Sequence, residues 1–131
     1  MNQEETQFVE TATRVGYRIC DHYLDTGNTP SLPDDLDSVY DAWVSDENSP
    51  KPASNDIGFG LGALLGQCLV SDLGFQWVMV SDDSGTDYCV RHPNDWQSFP
   101  FDFVAKRIHE QEPRGGFFRA LYDLLNKREV A

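Results

Sequence analysis

Metal coordination is the first chemistry that the residue types suggest, because the chain contains three histidines and three cysteines. Structural zinc sites take such ligands in closely spaced pairs. Here Cys20 and His22 are two positions apart on a predicted helix, so their side chains point in different directions. His92 has only the loop carboxylate of Asp95 near it in the sequence. These spacings predict no metal site, and we expect no cofactor.

Motifs for cofactor binding and nucleophilic catalysis are equally weak. Gly58-x-Gly60-x-x-Ala63 matches the loose dinucleotide fingerprint, which works only where a strand turns directly into a helix. The preceding residues 49–56 contain two prolines and are typical of a linker. The chain also lacks the G-x-S-x-G nucleophile turn. We therefore predict no catalytic residues, although the sequence leaves enzymatic activity open.

A group of aromatic and cationic residues could still form a small-molecule site. Ligand pockets combine aromatic walls with a few convergent polar groups. Such residues occur in the predicted hairpin and the helix after it, and they are Trp77, Tyr88, Arg91, His92 and Arg107. The alternative function is therefore a ligand-binding or enzymatic domain whose site lies between the hairpin and the C-terminal helices.

The charge of the chain points to a different class of function. A formal net charge of −12 argues against nucleic-acid binding, because phosphate contacts need clustered lysine and arginine. The acidity is concentrated in residues 21–56, which hold nine acidic residues and a single basic residue, Lys51. A surface of this kind attracts and orients a basic protein, whereas the alternative is a solvated face that serves solubility.

The leading prediction is thus a non-enzymatic module that binds a basic protein partner. The candidate contact surface consists of the acidic residues Asp34, Asp35, Asp37, Asp41, Asp46 and Glu47. Small size and acidity also suit an immunity-type protein that neutralises a basic toxin. The oligomeric state stays open.

We expect a cytoplasmic location without membrane insertion. The first residues have neither the basic start nor the apolar core of a signal peptide. The longest apolar run, residues 57–70, is shorter than the approximately 20 residues that span a bilayer. An odd number of cysteines fits a reducing compartment, while a disulfide between Cys68 and Cys89 is the alternative.

Hydrophobic periodicity predicts a single α+β domain over residues 1–131, with an acidic helical part before residue 57. The apolar run becomes a buried central helix, in which a column formed by Gly58, Gly62 and Gly66 admits a close neighbour and Gly60 faces water. Alternating residues predict an antiparallel hairpin over 75–91 and a third strand near 96–99. Amphipathic helices surround them, over 3–25 and 32–43, from Pro100, and near the C-terminus.

The second half resembles a known family, the bacterial domain-of-unknown-function family 3806. The resemblance is carried by residues 61–67 (LGALLGQ), by residues 74–77 (GFQW), and by Pro100 with residues 104–107 (VAKR). It covers roughly residues 57–110. Because the family has no established activity, the resemblance implies a fold and carries over no catalytic residue.

Overall fold

Helices make up most of the fold, with one small sheet between the third helix and the fourth. The computed structural model describes residues 2–24, 33–83 and 85–130. These residues form α1 (Gln3–Leu24), α2 (Pro33–Ser45), α3 (Ser54–Leu73), β1 (Gln76–Asp82), β2 (Gly85–Arg91), β3 (Gln97–Ser98), α4 (Pro100–His109) and α5 (Phe117–Val130). The α+β class is confirmed. The predicted end of the first helix after residue 24 lies outside the described residues, and the single-domain extent stays a prediction.

Helix α3 lies in the core because nearly every side of it is apolar. The side chains of Ile57, Leu61, Leu65 and Leu69 are completely shielded from solvent. The helix ends at Gly74, which adopts a left-handed φ of 78° and donates its amide to the Leu69 carbonyl. Glycine suits this position because it has no Cβ to clash there. The following residues can then turn back over the helix as a sheet.

Helix α3 is so apolar that its composition resembles that of a membrane-spanning helix. Within the described ranges, α3 is the one helix that is long and apolar enough to cross a membrane. In the fold, 61% of its most apolar stretch is buried against other elements. Packing inside the protein therefore accounts for its composition.

The glycines of α3 let three neighbours approach it closely. Gly60 packs against Gly16 of α1, so the expectation that Gly60 faces water is wrong. Side-chain hydrophobicity could not reveal this contact, because glycine has no side chain and the contact depends on a second glycine elsewhere in the chain. Gly62 lies under Phe101 of α4, and Gly66 lies under the indole of Trp77 of β1.

The sheet is a hairpin with one added short strand. β1 and β2 pair antiparallel from Gln76 opposite Arg91 to Asp82 opposite Gly85, and β3 pairs with the far side of β2. This confirms the predicted hairpin and third strand. The strand order β1-β2-β3 makes β1 an edge of the sheet. Trp77 and Tyr88 lie on the face of the sheet that contacts Phe101.

Candidate functional site

Part of the predicted acidic surface holds helix α5 in place. Asp37 is buried, at 8% exposure, and its carboxylate accepts hydrogen bonds from the amides of Gly116, Phe118 and Arg119. These amides belong to the first turn of α5 and the residue before it, where a helix has unpaired donors. Burial raises the pKa of Asp37 above its usual range, against the opposing effect of the three amides. Asp37 therefore caps a helix inside the fold.

Three further acids of this set also have partners within the chain. Asp34 forms a two-pronged ion pair with Arg119, with both N–O distances 2.9 Å, which lowers the pKa of the carboxyl. Asp41 accepts the amide of Gly115. Asp46 accepts the Tyr23 hydroxyl at 2.7 Å and the Asn48 amide at 2.9 Å, and the amide is the larger cause of its lowered pKa. These contacts connect α2 to α5 and to α1.

The other two acids differ from these four. Asp35 is half-buried and Glu47 is exposed, and in the described part of the chain neither has a hydrogen bond or ion pair. The six predicted residues thus lie on or just after α2, but only Asp35 and Glu47 leave their carboxylates uncommitted. The use of this surface by a partner stays a prediction.

The five residues of the predicted ligand site lie in three places. Trp77 and Tyr88 contact aromatic side chains of the helices. Arg91 and His92 line a shallow cavity of about 300 Å³ with Pro93 and Asp95. His92 is buried, stacks on Trp96, and accepts the Asn94 amide through Nδ1 at 3.1 Å. This hydrogen bond and the stacking on Trp96 orient the imidazole ring.

Arg107, the remaining member, lies on α4. Its guanidinium carbon is 4.7 Å from the centre of the Phe103 ring, and its Nη1 atom is 3.9 Å from a carboxylate oxygen of Glu110. It borders an open cavity of about 610 Å³ together with Ser98, Phe99, Asp102, Phe103, Ala105, Lys106 and His109. Arg107 therefore lies apart from the other four residues, beside a cavity of its own.

Five aromatic side chains, each from a different helix or strand, form one connected group, which we call the aromatic patch. Its centre is Phe101, whose ring lies 5.8 Å from Phe8, 6.0 Å from Phe59, 5.6 Å from Trp77 and 6.1 Å from Tyr88. Phe8 also stacks on Tyr88 with 4.4 Å between ring centres. Rings at these separations support one another beyond simple burial.

The glycines of α3 position two members of the patch. A Cβ on Gly62 would lie 2.9 Å from the Phe101 Cα, so only glycine lets α4 come this close. A Cβ on Gly66 would occupy the space of the Trp77 indole. The Trp77 indole nitrogen donates to the Gln67 side chain at 3.1 Å, which fixes the orientation of the ring. The patch is therefore held in a defined geometry.

The patch is accessible from outside. Phe8 is 37% exposed, and the other four rings are each half-buried. Large exposed apolar patches on monomeric proteins are often interaction sites. Sequence reasoning missed this site because Phe8 and Phe101 fit the inward stripes of their helices. Phe101 and Trp77 contact glycines of α3, but only the fold reveals these contacts and brings the five rings to one place.

Acidic side chains adjoin the patch. Glu4 and Glu5 precede Phe8 by four and three positions on α1, and Asp56 precedes Phe59 by three on α3, which are spacings that make helix residues neighbours. Tyr88 has a raised pKa, chiefly because of burial and then because of the negative charge of Glu5. The aromatic patch is thus bordered by negative charge.

The three cysteines are free and buried. Burial raises the pKa of Cys20 to about 12 and that of Cys68 to about 11. Such thiols are poor nucleophiles, since the thiolate is the reactive form. In the part of the chain that the structure describes, no three His, Cys, Asp or Glu side chains are arranged to hold a metal ion.

Comparison with known proteins gives one match. The model of the family "Domain of unknown function (DUF3806)" matches residues 35–117. The chain belongs to this family. The match confirms the resemblance found in the sequence and extends it from the central helix back into α2. The curated proteins and the solved structures contain no match to the chain.

The DUF3806 match contains most of the aromatic patch. Residues 35–117 include Phe59, Trp77, Tyr88 and Phe101, whereas Phe8 on α1 lies before them. The same range includes Asp37 and the cavity beside Arg107. The DUF3806 domain thus provides the scaffold of the patch, and α1 adds its most exposed ring.

Proposed function

We propose that this DUF3806 protein is a non-enzymatic protein-binding module that docks a basic partner on the aromatic patch. The observation that carries the proposal is the cluster of five connected rings, of which Phe8 is 37% exposed and the others half-buried. Aromatic residues are enriched at the centres of protein interfaces, where they supply much of the binding free energy.

The charge of the protein supports a basic partner. Glu4, Glu5 and Asp56 adjoin the exposed rings, and the whole chain carries a formal charge of −12. A negative rim raises the association rate with a positive partner and disfavours acidic ones. The acids of α2 add to the same long-range field, although most of them are also engaged within the fold. An immunity-type role, in which the partner is a basic toxin, is one form of this function.

Selection from a displayed library of random peptides tests the proposal. We expect the selected peptides to be rich in lysine and arginine and to bind less tightly as salt increases. Phe8→Ser removes an exposed ring of the patch and should weaken binding about tenfold or more, the loss of an interface anchor worth over 1.4 kcal/mol.

Leu124→Ser is the matched control, because Leu124 is an exposed apolar residue, 51% accessible, on α5 outside the patch. It should leave the affinity unchanged. Equal losses in the two variants, or selected peptides without an excess of basic residues, would contradict the proposal. Circular dichroism of both variants establishes that they are folded.

The cavity beside Arg107 supports a second candidate function, the binding of a small anion. Lys106 and Arg107 border it together with His109, Phe99, Phe103 and a single acid, Asp102, in a protein with a formal net charge of −12. Cationic and aromatic groups around one cavity suit an anion with an apolar body. Screening aryl carboxylates and aryl phosphates by thermal shift tests this, since a ligand at a hundred times its Kd adds about 2.7 kcal/mol. A stabilisation that persists in Lys106→Ala and Arg107→Ala would place the ligand elsewhere.

A further inference from the structure

The outer edge of strand β1 is open. β1 pairs with β2 on one side, and its contacts with Gly66 of α3 and Phe101 of α4 are made by the Trp77 side chain, on one face of the sheet. Its other edge pairs with no strand in the described residues. A strand of seven residues with such an edge presents unpaired amides and carbonyls to solvent.

The residues that present these groups follow from the hydrogen bonding of β2. The His92 amide donates to the Trp96 carbonyl, and the Tyr88 amide donates to the carboxylate of Asp87. Neither amide bonds to β1. The even-numbered residues of β2, and His92 just after it, therefore direct their amides away from β1, and the odd-numbered residues of β2 direct theirs toward β1. In an antiparallel pair the bonded positions alternate, and Val78 of β1 lies opposite Cys89.

By this alternation the odd-numbered residues of β1 face the open edge. Trp77 lies opposite Val90, Met79 opposite Tyr88, and Ser81 opposite Thr86, which are the non-bonded pairs of the hairpin. Their amides and carbonyls point outward, whereas those of Gln76, Val78 and Val80 bond to β2.

The edge lacks the usual protection against pairing. Natural edge strands carry charged residues, proline or bulges that prevent another strand from joining. Residues 76–81 of β1, with the sequence QWVMVS, contain no charge and no proline, and the pairing with β2 runs without a bulge. Trp77, Val78, Met79 and Val80 are all half-buried, so both faces of the strand offer apolar surface.

We propose that the basic partner joins β1 as an additional strand, through the backbone groups of Trp77, Met79 and Ser81. This inference rests on the proposed function, because Trp77 belongs to the aromatic patch and Met79 lies on the same face of the sheet. Alternate side chains of the added strand would lie beside these two residues and extend the patch. Strand addition supplies affinity through the main chain, and the side chains supply specificity.

Charge favours a basic partner over a second copy of this chain. The hairpin, residues 76–91, contains three acids, Asp82, Asp83 and Asp87, and one base, Arg91, which lies opposite Gln76 at the start of β1. Two copies would bring these acids and two net charges of −12 together. An extended segment with lysine or arginine among β-branched residues suits the edge instead.

Substitution of Met79 separates the backbone contact from the side-chain contact. Met79→Pro removes an amide that points outward, which edge strands tolerate, so the hairpin keeps all its own bonds. Met79→Ala removes the same side chain and keeps the amide. The probe is the most enriched peptide of the displayed library. We expect Met79→Pro to weaken its binding about tenfold or more relative to Met79→Ala.

Amide hydrogen exchange gives a second readout. In the free protein the amides of Trp77, Met79 and Ser81 should exchange faster than those of Val78 and Val80. The peptide should protect the first group and leave the second unchanged. Circular dichroism checks that Met79→Pro is folded. If it is not, Ser81→Pro and its control Ser81→Ala replace the pair.

The outcomes separate the two proposals. If the peptide binds Met79→Pro as tightly as Met79→Ala while Phe8→Ser still weakens it, strand addition is wrong and the patch remains the docking site. Protein that forms dimers through β1 would also overturn the assignment of a basic partner. If Phe8→Ser has no effect, the proposed function itself fails.

Discussion

Replacing Gly60 by alanine should destabilise the protein, although alanine is the better helix former. An added Cβ would lie 2.7 Å from the Gly16 amide nitrogen and 2.8 Å from its Cα. Backbone atoms cannot rotate away as a flexible side chain can, so α1 and α3 must move apart. The same change at Gly58 of α3 is a matched control, since its nearest neighbour, an Ile108 methyl, would be 3.8 Å away.

The magnitudes follow from two opposing effects. Alanine gains about 1 kcal/mol over glycine in a helix interior, which should make Gly58→Ala more stable by roughly 0.5–1 kcal/mol because ordinary packing is retained. Overpacking costs about 1–3 kcal/mol. Because the contact is with rigid backbone, the overpacking in Gly60→Ala should cost about 3 kcal/mol. After the gain in helix propensity, the free energy of unfolding should fall by about 2 kcal/mol.

Urea unfolding followed by tryptophan fluorescence measures both variants. Each free energy of unfolding is the product of the midpoint and the slope, provided that the slope is unchanged. The two variants should differ by about 3 kcal/mol, with the parent protein between them. Equal stability of Gly58→Ala and Gly60→Ala would refute the close crossing of α1 and α3.

Three further predictions concern individual side chains. Asp37→Ala should lower the free energy of unfolding in urea by about 1–3 kcal/mol, because it leaves the amides at the start of α5 unpaired. Asp35→Ala should leave this free energy nearly unchanged, and equal losses in the two variants would contradict the prediction. Cys20 and Cys68 should resist alkylation at about pH 8 until urea unfolds the protein, since burial raises the pKa of both thiols. Mass spectrometry detects the labelling, and rapid labelling of the native protein would contradict this prediction. Asp46 has a lowered pKa, so its stabilising contribution is present above its ordinary pKa and lost as pH falls through the folded value. Asp46→Asn should therefore make Tm decrease less steeply as the pH falls below about 4. If Tm of the variant and of the parent protein decrease equally over this pH range, Asp46 makes no such contribution.

Much of the fold could be predicted because its signals are local. The alternating residues of 75–91 and the turn formers between them specify the hairpin, and Gly74 specifies the end of α3. The role of Gly60 could not be predicted, because a glycine shows no hydrophobic preference and its partner Gly16 is distant in the sequence. Contacts between glycines become visible only when both helices are placed.

The candidate site was less predictable for a related reason. Trp77 and Tyr88 were identified as candidate site residues, but Phe8, Phe59 and Phe101 fit the expectation for buried helix faces. Their accessibility depends on how the helices pack around the sheet, which no local pattern encodes. Conversely, Asp37 looks like a surface acid in the sequence, and only the docking of α5 explains its burial.

The most direct measurement is NMR mapping of a selected basic peptide on the protein. If the aromatic patch docks the partner, the ring resonances of Phe8, Tyr88 and Phe101 should shift as the peptide is added, and the shifts should diminish with salt. Shifts confined to α2 and α5, around Asp34 and Arg119, with the ring resonances unchanged, would contradict the proposed site.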